Sequence, residues 1–268
     1  MIKRELYMNR IRPFIGGELI KVMTGIRRSG KSVMLELIKE ELAEAGVAPS
    51  QMISINFEDM RYSHLQTATA LHDEIIKRAE GIEGKAYLFF DEIQEVEGWE
   101  KCVNSLRVAL DCDIYITGSN AKLLSGELAT YIGGRYVEFV IYPFSFAEFL
   151  ELYHTIAPSD SIQQCFQKYL LAGGMPYLAN LRYEEEPSRQ YLTDLFNSVQ
   201  LKDIVKRNKI RDIDLLERII AYMTANVGTV FSASSLAKFF KNEQRTVAAE
   251  TILNLSLIHI SEPTRLAL

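Results

Sequence analysis

Eight consecutive residues, Gly25-Ile26-Arg27-Arg28-Ser29-Gly30-Lys31-Ser32, carry the spacing Gly-x4-Gly-Lys-Ser. Glycines at these two places allow a backbone turn that aims successive N–H groups at one anion. A helix opening just after the turn adds the positive end of its dipole. Lys31 can then reach the β- and γ-phosphates of a nucleoside triphosphate, and the Ser32 hydroxyl can ligate Mg²⁺. All eight residues are candidates for phosphate binding. Arg27 and Arg28 are unusually bulky for such a loop; they could meet phosphate or the acidic pair Glu58-Asp59.

A second element, Tyr87-Leu88-Phe89-Phe90-Asp91-Glu92, is an apolar run ending in two carboxylates. Ligands of open α/β sheets bind beyond the carboxyl ends of the strands. There Asp91 would hold Mg²⁺, directly or through water, and Glu92 would polarise an attacking water. Asp91 follows Lys31 by 60 residues (91 − 31), room for one intervening strand–helix unit. Taken alone, the pair reads more readily as an acidic helix start; the glycine-lysine loop upstream favours the magnesium reading. Thr117-Gly118-Ser119-Asn120 closes another apolar run; Ser119 and Asn120 are candidates to bond the γ-phosphate or the water, or else simply end a strand. Arg135, after Gly133-Gly134, could stabilise charge on a γ-phosphate, often that of a neighbouring subunit in a homo-oligomer, or could form a structural ion pair. Hydrolysis is favoured over transfer because a small-molecule kinase has an acceptor to supply its nucleophile and needs no Glu92. The base-reading motif of GTPases is off register here, in Asn208-Lys209-Ile210-Arg211-Asp212.

These groups need a scaffold. Strands are expected at Leu19–Thr24, Met52–Phe57, Ala86–Phe90, Asp113–Thr117 and Tyr136–Ile141, with helices at Ser32–Ala45, Ala68–Glu80 and Trp99–Leu110 between them. Alternation at this spacing predicts a three-layer α/β domain around a parallel sheet. A short helix over Glu5–Ile15 precedes it and Gly16-Gly17 breaks it. From Phe144 onward no strand pattern continues: Phe146–Tyr153, Ile162–Ala172, Arg189–Val205 and Leu215–Asn226 read as helices, and Glu184-Glu185-Glu186 as a solvated loop. The expected division is residues 1–143 for the core, 144–212 for a helical lid and linker, and 213–254 for a further helical remnant.

In that remnant, Ser234–Lys241 and Gln244–Asn254 are two more short helices. With Leu215–Asn226 they resemble the front of a winged helix-turn-helix whose recognition helix opens at Gln244, Arg245 and Thr246. Lys202, Lys206, Arg207, Lys209 and Arg211 could meet DNA phosphates, though such modules also serve as protein-contact lids. Residues 255–268, starting Leu-Ser-Leu-Ile-His-Ile-Ser-Glu-Pro-Thr-Arg, resemble a translated sequencing adapter. They are set apart as a non-native tail, with native sequence continuing elsewhere beyond Asn254. The alternative is a genuine amphipathic C-terminal element.

Taken in order, Gly25–Ser32, Asp91-Glu92-Ile93-Gln94, Thr117-Gly118-Ser119, Gly134-Arg135, Pro143-Phe144-Ser145-Phe146-Ala147-Glu148-Phe149 and Gly173-Gly174-Met175-Pro176 resemble the AAA+ superfamily. The nearer likeness is to a group of uncharacterised bacterial and archaeal ATPases with a C-terminal domain of unknown function. The resemblance implies a P-loop core with sheet order 5-1-4-3-2, a helical lid, and ATP with Mg²⁺ as ligands.

Composition narrows the rest. The chain has 268 residues, 48% hydrophobic and 24% charged, with net charge −5. A sizeable core can form, and no global charge draws the chain to nucleic acid or to an anionic membrane. Three cysteines in no paired motif argue against a zinc site or a disulfide framework and fit a reducing cytoplasm. No apolar run approaches the ~20 residues of a membrane span. The expected function is ATP hydrolysis that drives a conformational change on nucleic acid or a partner protein. The alternatives are an ATP switch controlling a C-terminal effector domain outside this chain, and a small-molecule kinase.

Overall fold

The computed structural model describes residues 2–118, 132–199, 213–226 and 236. The chain divides into two compact units, Met1–Ser188 and Arg189–Leu268.

In the first unit five strands form one parallel sheet: β1 (Ile20–Thr24), β2 (Met52–Asn56), β3 (Ala86–Asp91), β4 (Cys112–Thr117) and β5 (Tyr136–Val140). Their spatial order is β2-β3-β4-β1-β5, the order expected, read from the other edge. The inner strands β1 and β4 are buried at every position, as continuous apolar runs covered on both faces must be. The edge strand β2 buries only Ile53 and Ile55 and turns Ser54 and Asn56 outward.

Alternation along the strands sends side chains to two cores. Ile20, Val22, Leu88, Phe90, Ile114 and Ile116 meet Leu71 and Ile75 of α3 (Ala68–Ala79) and Trp99, Val103 and Leu106 of α4 (Trp99–Ala109). On the other face Met23, Phe89, Tyr115 and Phe139 meet Tyr7, Met8 and Ile11 of α1 (Glu5–Ile11) and Met34, Leu35 and Ile38 of α2 (Lys31–Glu44). Phe89 and Tyr115, paired across β3 and β4, stack with centroids 4.9 Å apart. These two cores hold the strand ends in a fixed relation, and the site depends on that relation.

The strand β1 also carries Lys21, fully buried in an otherwise mostly apolar run. Its ammonium pairs with Asp113 and donates to the Gly17 carbonyl at 3.1 Å. Asp113 in turn accepts from the Tyr115 hydroxyl and the Gly16 N–H, each at 2.7 Å. Burial pulls the Lys21 amine below its ordinary value, and the Asp113 carboxylate opposes that pull. Gly16-Gly17 therefore does more than end a helix: it closes a buried polar network at the amino-terminal edge of the sheet.

Beyond β5, α5 (Phe146–Tyr153) and α6 (Ile162–Ala172) open with capping boxes, Ser145 with Glu148 and Ser161 with Gln164. Phe149 is fully buried among Phe146, Tyr153, Tyr169 and Tyr183, with centroids 5.0–6.2 Å away. Gly174 lies against the backbone of Phe144, just before α5; a Cβ there would stand 2.0 Å from the Phe144 carbonyl oxygen.

The next helix, α7 (Glu185–Val199), begins earlier than expected and takes in two of the three residues of the acidic run, Glu184 remaining outside it. Glu185 and Glu186 form its first turn, where carboxylates face the positive helix end and Pro187 sacrifices no intrahelical donor. The helix α8 (Ile213–Ala225) corresponds to the reading Leu215–Asn226. The two short helices proposed beyond it, the basic residues Lys202 to Arg211, the recognition-helix residues Gln244 to Thr246 and the tail lie outside the described residues.

Candidate active site

The loop Gly25–Gly30 leaves β1 at its carboxyl end and delivers Lys31 as the first residue of α2. Three backbone positions have positive φ: Gly25 at 144°, Arg28 at 63° and Gly30 at 100°. Gly25 has a steric reason as well: a Cβ there would stand 2.2 Å from the Ile141 carbonyl oxygen. The first helical bond of α2 runs from the Met34 N–H to the Gly30 carbonyl at 3.1 Å, and no side chain caps the helix start. Helix-starting N–H groups lack intrahelical partners, and a start without a side-chain cap suits an anion.

Lys31 is 5% exposed. Its ammonium donates to the Gly25 and Ile26 carbonyls at 3.2 and 3.1 Å, and it stands 3.9 Å from Glu92 Oε1. Ser32 and Arg28 are exposed, and Ile26, Arg27 and Gly30 half-buried. Ser29 is buried and its hydroxyl has no hydrogen-bond partner. Asp59, offered as a partner for Arg27 or Arg28, accepts from its neighbour Arg61 at 2.8 Å.

The strand β3 ends at Asp91, 6% exposed. Register pairs it with Asn56 at the end of β2, and Asn56 Nδ2 donates to Asp91 Oδ2 at 3.1 Å. On the other side the Thr117 hydroxyl, at the end of β4, donates to Asp91 Oδ1. The same hydroxyl accepts from the Glu92 N–H at 3.0 Å. Glu92 has left-handed backbone, φ 56° and ψ 45°. A non-glycine residue there carries on the order of 1–2 kcal/mol of strain, so the Thr117 bond is part of what keeps it. The Glu92 carboxylate accepts from Gln94 Nε2 and faces Lys31.

The structure thus brings together Gly25, Lys31, Asp91 and Glu92, from two strand ends with β4 between them. It does not bring Arg135 to that edge. The Arg135 carbonyl accepts from the Ile20 N–H at 3.0 Å, at the opposite end of β1 from the loop. One strand of five residues separates the two ends, roughly 16 Å at the usual rise. Arg135 is exposed there and donates to Asn104 Oδ1 at 3.0 Å. Ser119 and Asn120 lie outside the described residues.

Three residues escaped the sequence reading. Thr117 was inside a motif already noticed, and its place at the end of the strand beside β3 was the available signal. Asn56 ends β2, next to Asp91 in a parallel register. Arg4 gave no signal: it is 144 positions from Glu148, whose carboxylate it meets at 2.8 Å, and it donates to the Ser29 carbonyl at 3.0 Å.

Residues 18–150 match the AAA domain family. This chain is an AAA-domain protein. The family is one of P-loop ATPases. Residues 163–259 of the AAA-domain protein match a domain of unknown function, DUF8612. An uncharacterized protein of Haemophilus influenzae is 38% identical over 253 residues, covering 94% of this chain and 62% of that protein. The uncharacterized protein MJ1544 of Methanocaldococcus jannaschii is 32% identical over 247 residues, 88% of this chain and 53% of that protein. The AAA-domain chain therefore spans a little over half the length of these relatives. Among solved structures, Aeropyrum pernix ORC1 in complex with DNA aligns over 96% of this chain and 84% of its own, at TM-score 0.42 and 14% identity. AMPPCP-bound DnaA from Aquifex aeolicus aligns over 86% and 71%, at TM-score 0.43 and 14% identity. Neither likeness is close enough to bear on function. Among the described residues, no helix is long and apolar enough to cross a membrane.

Proposed function

We propose that this AAA-domain protein binds ATP with Mg²⁺ at the loop Gly25–Ser32 and hydrolyses it with Glu92 as general base. The observation that carries the reading is the meeting of Lys31 and Glu92 at 3.9 Å, beside a helix start that no side chain caps. A cation bonded to loop carbonyls and a carboxylate on a strained backbone converge on the side of the loop where a phosphate chain would lie.

The residues fit the ligands. The N–H groups of the loop and of the first turn of α2 would take the β- and γ-phosphates, with Lys31 turning from its carbonyl partners to the same oxygens. The exposed Ser32 hydroxyl and the Asp91 carboxylate are hard oxygen donors of the kind Mg²⁺ takes, few in number and completed by phosphate and water. Magnesium, when bound, neutralises charge on the phosphates. Asn56 and Thr117 hold both Asp91 oxygens by hydrogen bonds and so fix the direction in which the carboxylate presents its remaining lone pairs. Glu92 takes the proton of a water whose oxygen bonds the γ-phosphorus, and the bond from that phosphorus to the bridging oxygen of ADP breaks. A carboxylate beside the loop in this position supports hydrolysis over transfer to a small acceptor.

Arg135 is exposed at the opposite end of β1 from its own loop; an arginine there supports a role at the γ-phosphate of a second copy in a homo-oligomer. Turnover then drives a conformational change on nucleic acid or a partner protein. Buried, unpaired Cys102, Cys112 and Cys165 support a reducing cytoplasm as its setting.

Calorimetry with ATP and Mg²⁺, followed by phosphate release, tests the reading. Wild type binds and turns over. Lys31→Ala loses affinity by about 100-fold or more, the equivalent of ~3 kcal/mol. Glu92→Gln keeps affinity and loses turnover by about 10²-fold or more. Wild-type protein that takes up no ATP with Mg²⁺ present overturns it.

A further inference from the structure

The phosphate loop is held from outside by a residue near the amino terminus. Arg4 is 3% exposed and, like Glu92, sits in left-handed backbone, φ 47° and ψ 47°. Its guanidinium makes four hydrogen bonds. Two form a fork on Glu148: Nε to Oε1 at 2.8 Å and Nη2 to Oε2 at 3.3 Å. Nη2 also donates to the Tyr142 carbonyl at 2.8 Å, and Nη1 donates to the Ser29 carbonyl at 3.0 Å. The cation lies over the rings of Tyr7 and Phe144, 4.6 and 5.2 Å from their centroids. A buried charge is tolerated only with such a complete set of partners.

The bond to Ser29 has a consequence for phosphate binding. All peptide bonds here are trans, so the carbonyl of residue 29 and the N–H of Gly30 point in opposite directions. Anchoring the Ser29 carbonyl on Arg4 turns the Gly30 N–H to the other side of the loop. Glycine at position 30 offers little steric resistance to a flip of that peptide, because it populates positive and negative φ about equally. The Arg4 bond supplies the resistance that the glycine lacks.

Glu148 carries the connection onward. Its Oε2 accepts from the Ser145 N–H at 2.8 Å and the Ser145 hydroxyl at 3.1 Å, which makes it the reciprocal half of the cap that starts α5. Phe144, beside that cap, donates its N–H to the Gly174 carbonyl at 2.7 Å. The motifs Pro143–Phe149 and Gly173–Pro176, unexplained by phosphate chemistry, thus build the socket for Arg4.

We propose that Arg4 is a positioning residue for nucleotide binding: it locks the Ser29–Gly30 peptide and, through Glu148, couples occupancy of the phosphate loop to the head of α5. This rests on the nucleotide reading above. The test is ATP·Mg²⁺ affinity by calorimetry together with amide hydrogen exchange, with and without ATP·Mg²⁺, on the whole chain as wild type, Arg4→Lys and Glu148→Gln. Lysine keeps the charge but not the fork; glutamine keeps the acceptor for Ser145 but not the charge. In wild type, nucleotide slows exchange in both 25–32 and 142–149. In either variant affinity falls about tenfold, equivalent to ~1.4 kcal/mol. Residues 25–32 still respond to nucleotide, and 142–149 no longer do. Variants that keep wild-type affinity and the response of 142–149 overturn the proposal. So does a loss of affinity matched by faster exchange throughout 86–91 and 112–117, which makes Arg4 a stabiliser of the fold alone. Wild-type protein that binds no ATP refutes the nucleotide reading instead, and is recognised before any variant is compared.

Discussion

Replacing Thr117 by Val tests the site at its narrowest point. The two side chains have nearly the same shape, so the change removes one hydroxyl from a position that is fully buried. That hydroxyl donates to Asp91 and accepts from the Glu92 N–H at 3.0 Å. A hydrogen bond to a charged group contributes about 1.5–3 kcal/mol, and a buried donor left without a partner costs about 1–3 kcal/mol. The Glu92 N–H is only partly buried, and water can replace some of what it loses. The expected loss is therefore about 2–3 kcal/mol, toward the lower end of the sum. In a unit of this size each kcal/mol moves the melting temperature by about 2–4 °C, so Tm should fall by about 5–10 °C. The effect on chemistry should be of similar size. With its anchor gone, Glu92 is free to relax from left-handed backbone, and its carboxylate turns from the position facing Lys31. General-base placement contributes ~10²–10⁴-fold, and a partial loss of ~10–100-fold in kcat is expected with ATP affinity little changed. Thermal melting and Mg²⁺-dependent phosphate release measure the two effects, and Thr117→Ser, which restores the hydroxyl, is the control. A Thr117→Val protein that turns over within twofold of Thr117→Ser, or melts within 1 °C of it, shows that the hydroxyl does not hold Glu92, and the reasoning fails.

Gly174→Ala places a Cβ 2.0 Å from the Phe144 carbonyl oxygen; a backbone shift is forced, and Tm should drop by several degrees, while Gly46→Ala, with nothing within 4 Å, should stay close to wild type apart from the strain of its positive φ. Arg135→Ala should keep ATP affinity and lose turnover, with wild-type turnover per chain rising with protein concentration; unchanged turnover at all concentrations removes the role at a second copy. Burial pushes the Cys102 thiol up to about 12 and the Cys112 thiol up to about 11, from an ordinary value near 9. Both should react slowly with a thiol reagent in the native state near neutral pH and fast in denaturant. Because these folded values are raised, their contribution to stability is present below about pH 9 and is lost as pH climbs toward 12. Lys21, pulled below its ordinary 10.5 by burial, works in the opposite direction up to that pH. The net alkaline loss of stability should therefore be read by urea titration above it.

The sequence by itself determined the elements and the chemistry of the loop. Apolar runs of strand length, separated by helices of period 3.6, leave a parallel sheet as the arrangement that buries both kinds of element. The placement of Gly-x4-Gly-Lys-Ser and Asp91-Glu92 was legible because each run is local and lies at the end of one strand. The boundary at α7 was misread because carboxylates are as favourable in a helix's first turn as in a loop, and composition does not separate the two. Only the tertiary structure decided the rest. The fully buried Lys21–Asp113 pair, the bridge of Thr117 between Asp91 and Glu92, and the fork of Arg4 on Glu148 join residues 25 to 144 positions apart. Such contacts follow from strand order and from which helix end packs against which loop. The parallel direction of β1 and β5 likewise put Arg135 at the wrong edge for its own phosphate loop, and no pattern of residue types along the chain states the direction in which two strands run.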